Sequence, residues 1–166
     1  MDLIHRTIDL ELNRDYILER HCRINYDCDT PWKREMPYNN YQQEWFGLQG
    51  QIKGFMDALS GSMKDSRTIA EIIQTDDGQI VAYLWVPFFA DEESGFLFAD
   101  VQDIYVEDEF RAMGIATKLM KYAETKAKEN GAKVIRSGTG CENKNSIGLH
   151  EKLGYYQYRY EFEKLL

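Results

Sequence analysis

The sequence predicts an α/β domain with one mixed central sheet: an antiparallel meander followed by a β-α-β-α-β half, with helices on both faces. Three observations carry this prediction. Residues 68–74 and 79–86 are β-type runs joined by Thr75-Asp76-Asp77-Gly78, and Asp-Gly between two such runs signals a hairpin. Residues 104–117 pass from strand formers through an acidic turn into an amphipathic stretch. From Lys133 onward, short β-type and helical runs alternate to the end of the chain.

Taken in order, residues 3–8 read as a first strand, and the run from Asp9 to Asp15 opens a helix that carries Tyr16, Ile17 and Leu18 toward Cys22. Residues 27–37 hold two of the three prolines and read as a loop. A second helix is expected over about 40–59, where Trp45, Leu48, Ile52, Phe55 and Leu59 recur at threes and fours. Glycines at 47, 50 and 54, each costing about 1 kcal/mol against Ala in a helix, leave open whether it is continuous. After the hairpin, Pro87 limits the second strand, and residues 90–95 turn the chain into a long third strand, 96–106. A helix over 112–130 presents Ile115, Leu119, Met120, Ala123 and Ala127 on one face, and Gly131 suits its C-terminal cap. A strand at 133–137, a helix at 143–153 and a last, tyrosine-rich strand at 155–162 complete the set. The strand at 96–106, the helix after it and the strand at 133 should form a parallel crossover.

A chain of 166 residues is the length of a single domain, 1–166, with room for a substantial core. No stretch approaches the ~18 apolar residues of a membrane span, and the N-terminus lacks the pattern of a secretory signal, so a cytoplasmic protein is expected. Cys22, Cys28 and Cys141 match no zinc spacing and read as structural thiols, and no metal is expected. The net charge is −8, and it is unevenly spread. Residues 1–100 carry 9 Lys and Arg against 18 Asp and Glu, while residues 101–166 carry 11 against 10. That fits either a solvated acidic surface or a first part that gathers a cationic partner beside a second part that holds an anion. With no basic stripe, nucleic acid is not an expected partner.

The stretch around Arg111 supplies the anion chemistry. The first N–H groups of a helix lack intrahelical acceptors and sit at the positive end of the macrodipole. Arg111, Gly114 and Ala116, spaced Arg-x-x-Gly-x-Ala, add a cation, a residue without a side chain and one with only a methyl. A pyrophosphate could then take several successive amides. By itself the pattern also fits a helix start that needs Gly only for packing.

A second segment supports the anion reading. Asn143, Ser146, Leu149, Gly154 and Tyr155 follow the pattern Asn-x-x-Ala/Ser-x-x-Leu-Tyr-x-x-x-Gly-Phe/Tyr. With Arg111, Gly114 and Ala116 preceded by a strand ending in Val106, the chain resembles the GNAT superfamily of acetyl-CoA-dependent N-acetyltransferases over essentially its whole length. The resemblance implies acetyl-CoA as cosubstrate. Ile104, Tyr105 and Val106 would hold its acetyl and pantetheine end along a strand edge. Arg111, Ala112, Met113, Gly114, Ile115, Ala116 and Thr117 would take the pyrophosphate, and Asn143 the pantetheine arm. It further implies a β-bulge near this point.

Direct attack of an amine on a thioester needs a base, an oxyanion donor and a proton for the leaving thiolate. The Val106 N–H is the expected oxyanion donor. Where the family often has a Tyr acid, this chain has His150; histidine, with an unperturbed pKa of about 6.5, can do the same work, or else simply bond its neighbours. Asp103 is the expected base, since its Asp-Ile-Tyr-Val run resembles that of diamine acetyltransferases, with Gln102 in place of their Glu. Asp100 and a water chain are alternatives. The acceptor is expected to be a small cationic amine (polyamine, aminoglycoside or amino-acid-like), which Tyr26, Trp32, Tyr38, Tyr41 and Trp45 could meet through cation-π contacts. A protein amine, or a non-catalytic acetyl-CoA-binding module, stays open, and so does a homodimer.

Overall fold

A computed structural model describes residues 2–166. The elements run β1 (Ile4–Thr7), α1 (Arg14–Cys28), α2 (Pro31–Arg34), α3 (Tyr38–Gly47), α4 (Gln49–Ser62), β2 (Ile69–Gln74), β3 (Ile80–Val86), β4 (Phe88–Ala90), β5 (Leu97–Val101), β6 (Asp103–Val106), α5 (Ile115–Glu129), β7 (Val134–Ser137) and α6 (Lys144–Lys152).

The mixed α/β architecture and the β2–β3 hairpin are as expected, with Gly78 at φ 88° in the turn. The central strands are buried on both faces, so two cores form. On one face Ala70, Ile72, Tyr83 and Trp85 pack with Ile17, Leu18 and Cys22 of α1, Trp45 of α3, and Ile52, Phe55 and Leu59 of α4. On the other, Ile69, Ile73, Leu84 and Val86 pack with Ile115, Leu119, Met120, Ala123 and Ala127 of α5, the apolar stripe read from the sequence. The crossover through α5 joins β5 to β7 in parallel, and Gly131 follows the helix at φ 80°.

Three expectations need correction, and the continuity of the helix over 40–59, left open by its glycines, is decided. The sheet is not one body: β1-β2-β3-β6 form an antiparallel sheet and β4-β5-β7 a second, mixed one. The cause is a break in the strand expected at 96–106. Trp85 pairs with Asp103 and Phe88 with Ala99, so residues 86 and 87 face the three residues 100, 101 and 102. That surplus residue is a β-bulge, and it lies opposite Pro87, which has no N–H to give the ladder. The helix expected over 40–59 breaks at Leu48 (φ −89°, ψ 73°) into α3 and α4. The loop expected at 27–37 is shorter, because α1 runs to Cys28 and Pro31 starts a single helical turn, a position where its missing N–H costs nothing. Finally, residues 155–162 form no strand. Among the described residues, no backbone bond reaches beyond the Tyr155 N–H, and a strand without a ladder partner is only an extended chain.

Candidate active site

β6 is the outermost strand of its sheet, and its register decides which groups it offers. The Glu107 N–H donates to the Val81 carbonyl at 2.9 Å, so the pair Tyr105–Tyr83 is hydrogen-bonded too, and Ile104 and Val106 turn their N–H and C=O toward the free edge. β5, beyond the bulge, leans instead toward β7. A cleft therefore opens beside β6, lined on one side by strand N–H groups without ladder partners.

Past Val106 the chain makes one 3-10 turn, Asp108–Phe110, and reaches Arg111. The guanidinium is tied locally: Nε donates to the Val106 carbonyl at 3.0 Å, an Nη lies 2.8 Å from Asp108, and its Cζ sits 5.1 Å from the Tyr105 ring centroid. Ala112 (φ 62°) and Gly114 (φ 76°) are both left-handed. Alternating hands turn successive N–H groups toward one point, making a nest for an anion. α5 starts at Ile115 with no side-chain cap, and the first helical acceptor, the Gly114 carbonyl, is taken by Lys118. Among the described residues, no hydrogen bond is donated by the six backbone N–H groups from Ala112 to Thr117. Residues 111–114 are exposed, Met113 at 56%, whereas Ile115 is buried in the core below α5.

Asp103 is only 2% exposed and fully engaged. The Tyr83 hydroxyl donates to Oδ2 at 2.8 Å, and His21 Nδ1 lies 2.8 Å from the same oxygen and 3.1 Å from Oδ1. Burial, then the nearby carboxylate, pushes the Tyr83 phenol well up, so it stays a donor. The His21 ring stacks on Phe55 at 3.8 Å and meets Trp45 edge-on, while its side chain keeps 17% exposure. His21 was not among the residues singled out in the sequence, where it reads as one polar position on an apolar helix face. Asp100, the alternative base, accepts from Gln102 Nε2 at 2.8 Å, and burial raises its pKa.

α1 lies across the mouth of the cleft. At its middle, Arg20 Nε and the Tyr16 hydroxyl donate to Glu107 at 2.8 and 2.6 Å. At its end, Cys28 packs so closely on Gly140 that a Cβ there would stand 2.5 Å from the Cys28 carbonyl oxygen. Asn143 caps α6 by accepting from the Ser146 N–H at 3.2 Å, and its Nδ2 points to Cys28 Sγ. One turn further, His150 Nδ1 stands 2.6 Å from the Ser146 carbonyl. A carbonyl only accepts, so Nδ1 carries the proton and the buried, unpartnered Nε2 is a bare acceptor in the neutral ring.

The aromatics of the acidic half are mostly occupied. Arg23 lies 4.7 Å from the Tyr38 ring centroid and 5.8 Å from that of Tyr26, Tyr41 bonds Asp29, and Trp45 is buried in the core. A cavity of about 440 Å³ lies elsewhere, on the α4 side of the bulge, walled by Trp85, Phe88, Phe89 and Gln102 with Asp57 and Asp65 among its lining residues. Among the described residues, no helix is long and apolar enough to cross a membrane.

Compared with known proteins, residues 19–155 match the model of the acetyltransferase (GNAT) family. An uncharacterised N-acetyltransferase of Methanocaldococcus jannaschii is 35% identical over 57 residues, 34% of this chain and 25% of that protein; the match thus spans about a quarter of that relative's length. An aminoglycoside N(6')-acetyltransferase type 1 of Acinetobacter genomosp. 13 is 23% identical over 122 residues, covering 69% of this chain and 84% of that one. Among solved structures, a putative acetyl transferase from Pyrococcus furiosus superposes with a TM-score of 0.67 at 20% identity, covering 99% of this chain and 100% of that one. An aminoglycoside 6'-N-acetyltransferase from Acinetobacter baumannii gives 0.65 at 19%, with 99% of each chain covered.

Proposed function

Because the chain belongs to the acetyltransferase (GNAT) family, we propose that it moves the acetyl group of acetyl-CoA to the primary amine of a small cation. The observation that carries this reading is the row of six undonated N–H groups from Ala112 to Thr117, continuous with the free edge of β6. Such a row suits a pyrophosphate, and the edge suits an extended amide-bearing arm. Acetyl-CoA would supply the acetyl thioester; the chain's own residues do the rest.

Three protons must move: one from the ammonium before attack, one from nitrogen as the amide forms, and one to sulfur as the C–S bond breaks. Asp103 is sealed behind His21, so its part in the first step is to hold and charge-balance His21, the more exposed member of the pair. Val106 directs its N–H to the edge, where an oxyanion would develop. His150 supplies the sulfur proton as an imidazolium, after which its bare Nε2 accepts from the thiol. The 440 Å³ cavity has aromatic walls for a cationic body and carboxylates among its lining residues, and the aminoglycoside acetyltransferase relative supports a small polyamine-like acceptor of that kind.

The test is thiol release from acetyl-CoA with a panel of polyamines, aminoglycosides and amino acids, alongside lysine-bearing peptides. Turnover with the small cations is expected. Turnover with peptides alone would assign a protein acceptor, and cofactor binding without any release would leave a non-catalytic binding module.

A further inference from the structure

α1 meets β6 through three side chains on one face of the strand. Asp103, Tyr105 and Glu107 alternate toward the same side, and each of them touches the helix. His21 Nδ1 lies 2.8 Å from Asp103 Oδ2, and the Arg20 Cζ stands 5.4 Å from the Tyr105 ring centroid. At the far end Arg20 grips Glu107 with two arms of its fork, Nε to Oε1 at 2.8 Å and Nη2 to Oε2 at 3.0 Å, and the Tyr16 hydroxyl donates to Oε1 at 2.6 Å.

Arg20 and His21 are consecutive, yet their side chains reach carboxylates four residues apart on the strand, about 13 Å at the usual rise. Two ties splayed along one strand stop the helix from sliding over it, where a single tie would act as a pivot. Tyr16, about one turn before Arg20, binds the same carboxylate and steadies that end. A bidentate guanidinium–carboxylate pair fixes distance and angle together, which apolar packing does not. The Arg20 and Glu107 side chains are 25% and 17% exposed, so solvent screens the pair only in part.

The groups held by this frame are those the proposed transfer uses. Val106, whose N–H faces the free edge, precedes Glu107, and His21 follows Arg20. The Arg20–Glu107 pair therefore sets the distance between the two, and a misplacement of ~1 Å is worth up to about 100-fold in rate. In sequence Glu107 is one acid of the turn after Val106, with its partner Arg20 87 positions away.

We infer that Glu107 is a positioning residue of the acetyl transfer: through Arg20 and Tyr16 it holds His21 at a fixed distance from the Val106 N–H. The inference rests on the function proposed above and gives Glu107 no contact with either substrate. Loss of the tie then slows the chemical step and leaves cofactor binding alone.

The test is a double-mutant cycle on kcat, read by thiol release from acetyl-CoA with the amine of the panel above that turns over fastest, beside calorimetric acetyl-CoA affinity. Glu107→Gln is expected to lower kcat about 10-fold with affinity within about twofold. Arg20→Lys, which keeps the charge but loses the fork, is expected to do the same, and it reads the result if Glu107→Gln fails to fold. In the His21→Ala background either change is expected to lower kcat by less than about twofold, because nothing is left to position. A full 10-fold loss in that background would overturn the inference, as would an unchanged kcat in the single variants or a loss confined to acetyl-CoA affinity; each of these leaves the transfer itself standing. A natural chain that releases no thiol with any amine of the panel would instead overturn the proposed transfer, and this inference with it.

Discussion

His150 is the residue where chemistry and local bonding are easiest to separate. With Nδ1 committed to the Ser146 carbonyl and Nε2 buried without a partner, its loss should affect the proton at sulfur more than the grip on the cofactor. His150→Ala is expected to lower kcat about 100-fold with little change in acetyl-CoA affinity, and His150→Tyr to recover most of it; equal rates in all three would remove His150 from the reaction. For His21→Ala the expectation is twofold: a loss of about 2–3 kcal/mol in urea unfolding, because Asp103 stays buried with one donor fewer, and a kcat fall that added imidazole partly restores. Asp100 gives a pH signature. Burial raises its folded pKa, so the stabilisation linked to its proton is full below the unfolded value and is lost as pH rises through the folded one. Asp100→Asn should therefore flatten that decline and leave the protein more stable at neutral pH, which thermal melts at pH 4 and 7 would check. The helix start at Gly114 was legible in sequence because it is a local feature, while the left-handed Ala112 that completes the nest was not. His21 was not, because its partner Asp103 lies 82 positions away.

At the scale of elements, α1 behaves as a strap fixed along its first half by Glu107 to Arg20 and Tyr16, and at its end by Cys28 to Gly140. Gly140 is constrained by space alone, since its backbone is not in the left-handed region. Gly140→Ala forces a methyl against the Cys28 backbone and is expected to cost about 1–3 kcal/mol, read by urea unfolding; a wild-type midpoint would mean that the strap's end gives way freely. Elements governed by local chemistry were predicted well: the Asp-Gly hairpin, the α5 stripe, and the Gly131 stop. Those that depend on a distant partner were not. The bulge at Gln102 needs the register of β3 and β4 opposite it, and the alternation over 155–162 reads as a strand although no ladder forms there.

Over the whole molecule, the acidic first hundred residues and the near-neutral remainder divide along the two ligands proposed. A net charge of −8 should steer a cationic acceptor from a distance, and such steering fades as the Debye length shrinks from ~30 Å at 0.01 M salt to ~10 Å at 0.1 M. The KM for a polyamine is accordingly expected to rise several-fold over that range, with a much smaller change for a monoamine; equal responses would make the acidity a matter of solubility alone. The central claim, that the turn from Arg111 to Thr117 holds the pyrophosphate of acetyl-CoA, is tested most directly by calorimetric titration of acetyl-CoA into the natural chain and into Gly114→Glu. A Cβ at Gly114 meets no atom within 4 Å but stands on left-handed backbone at φ 76°, so the variant both strains the nest and adds a carboxylate beside it, and each effect opposes the anion. Binding to the natural chain that weakens by about 100-fold or more in the variant is predicted; equal binding by both, or none by either, would contradict it.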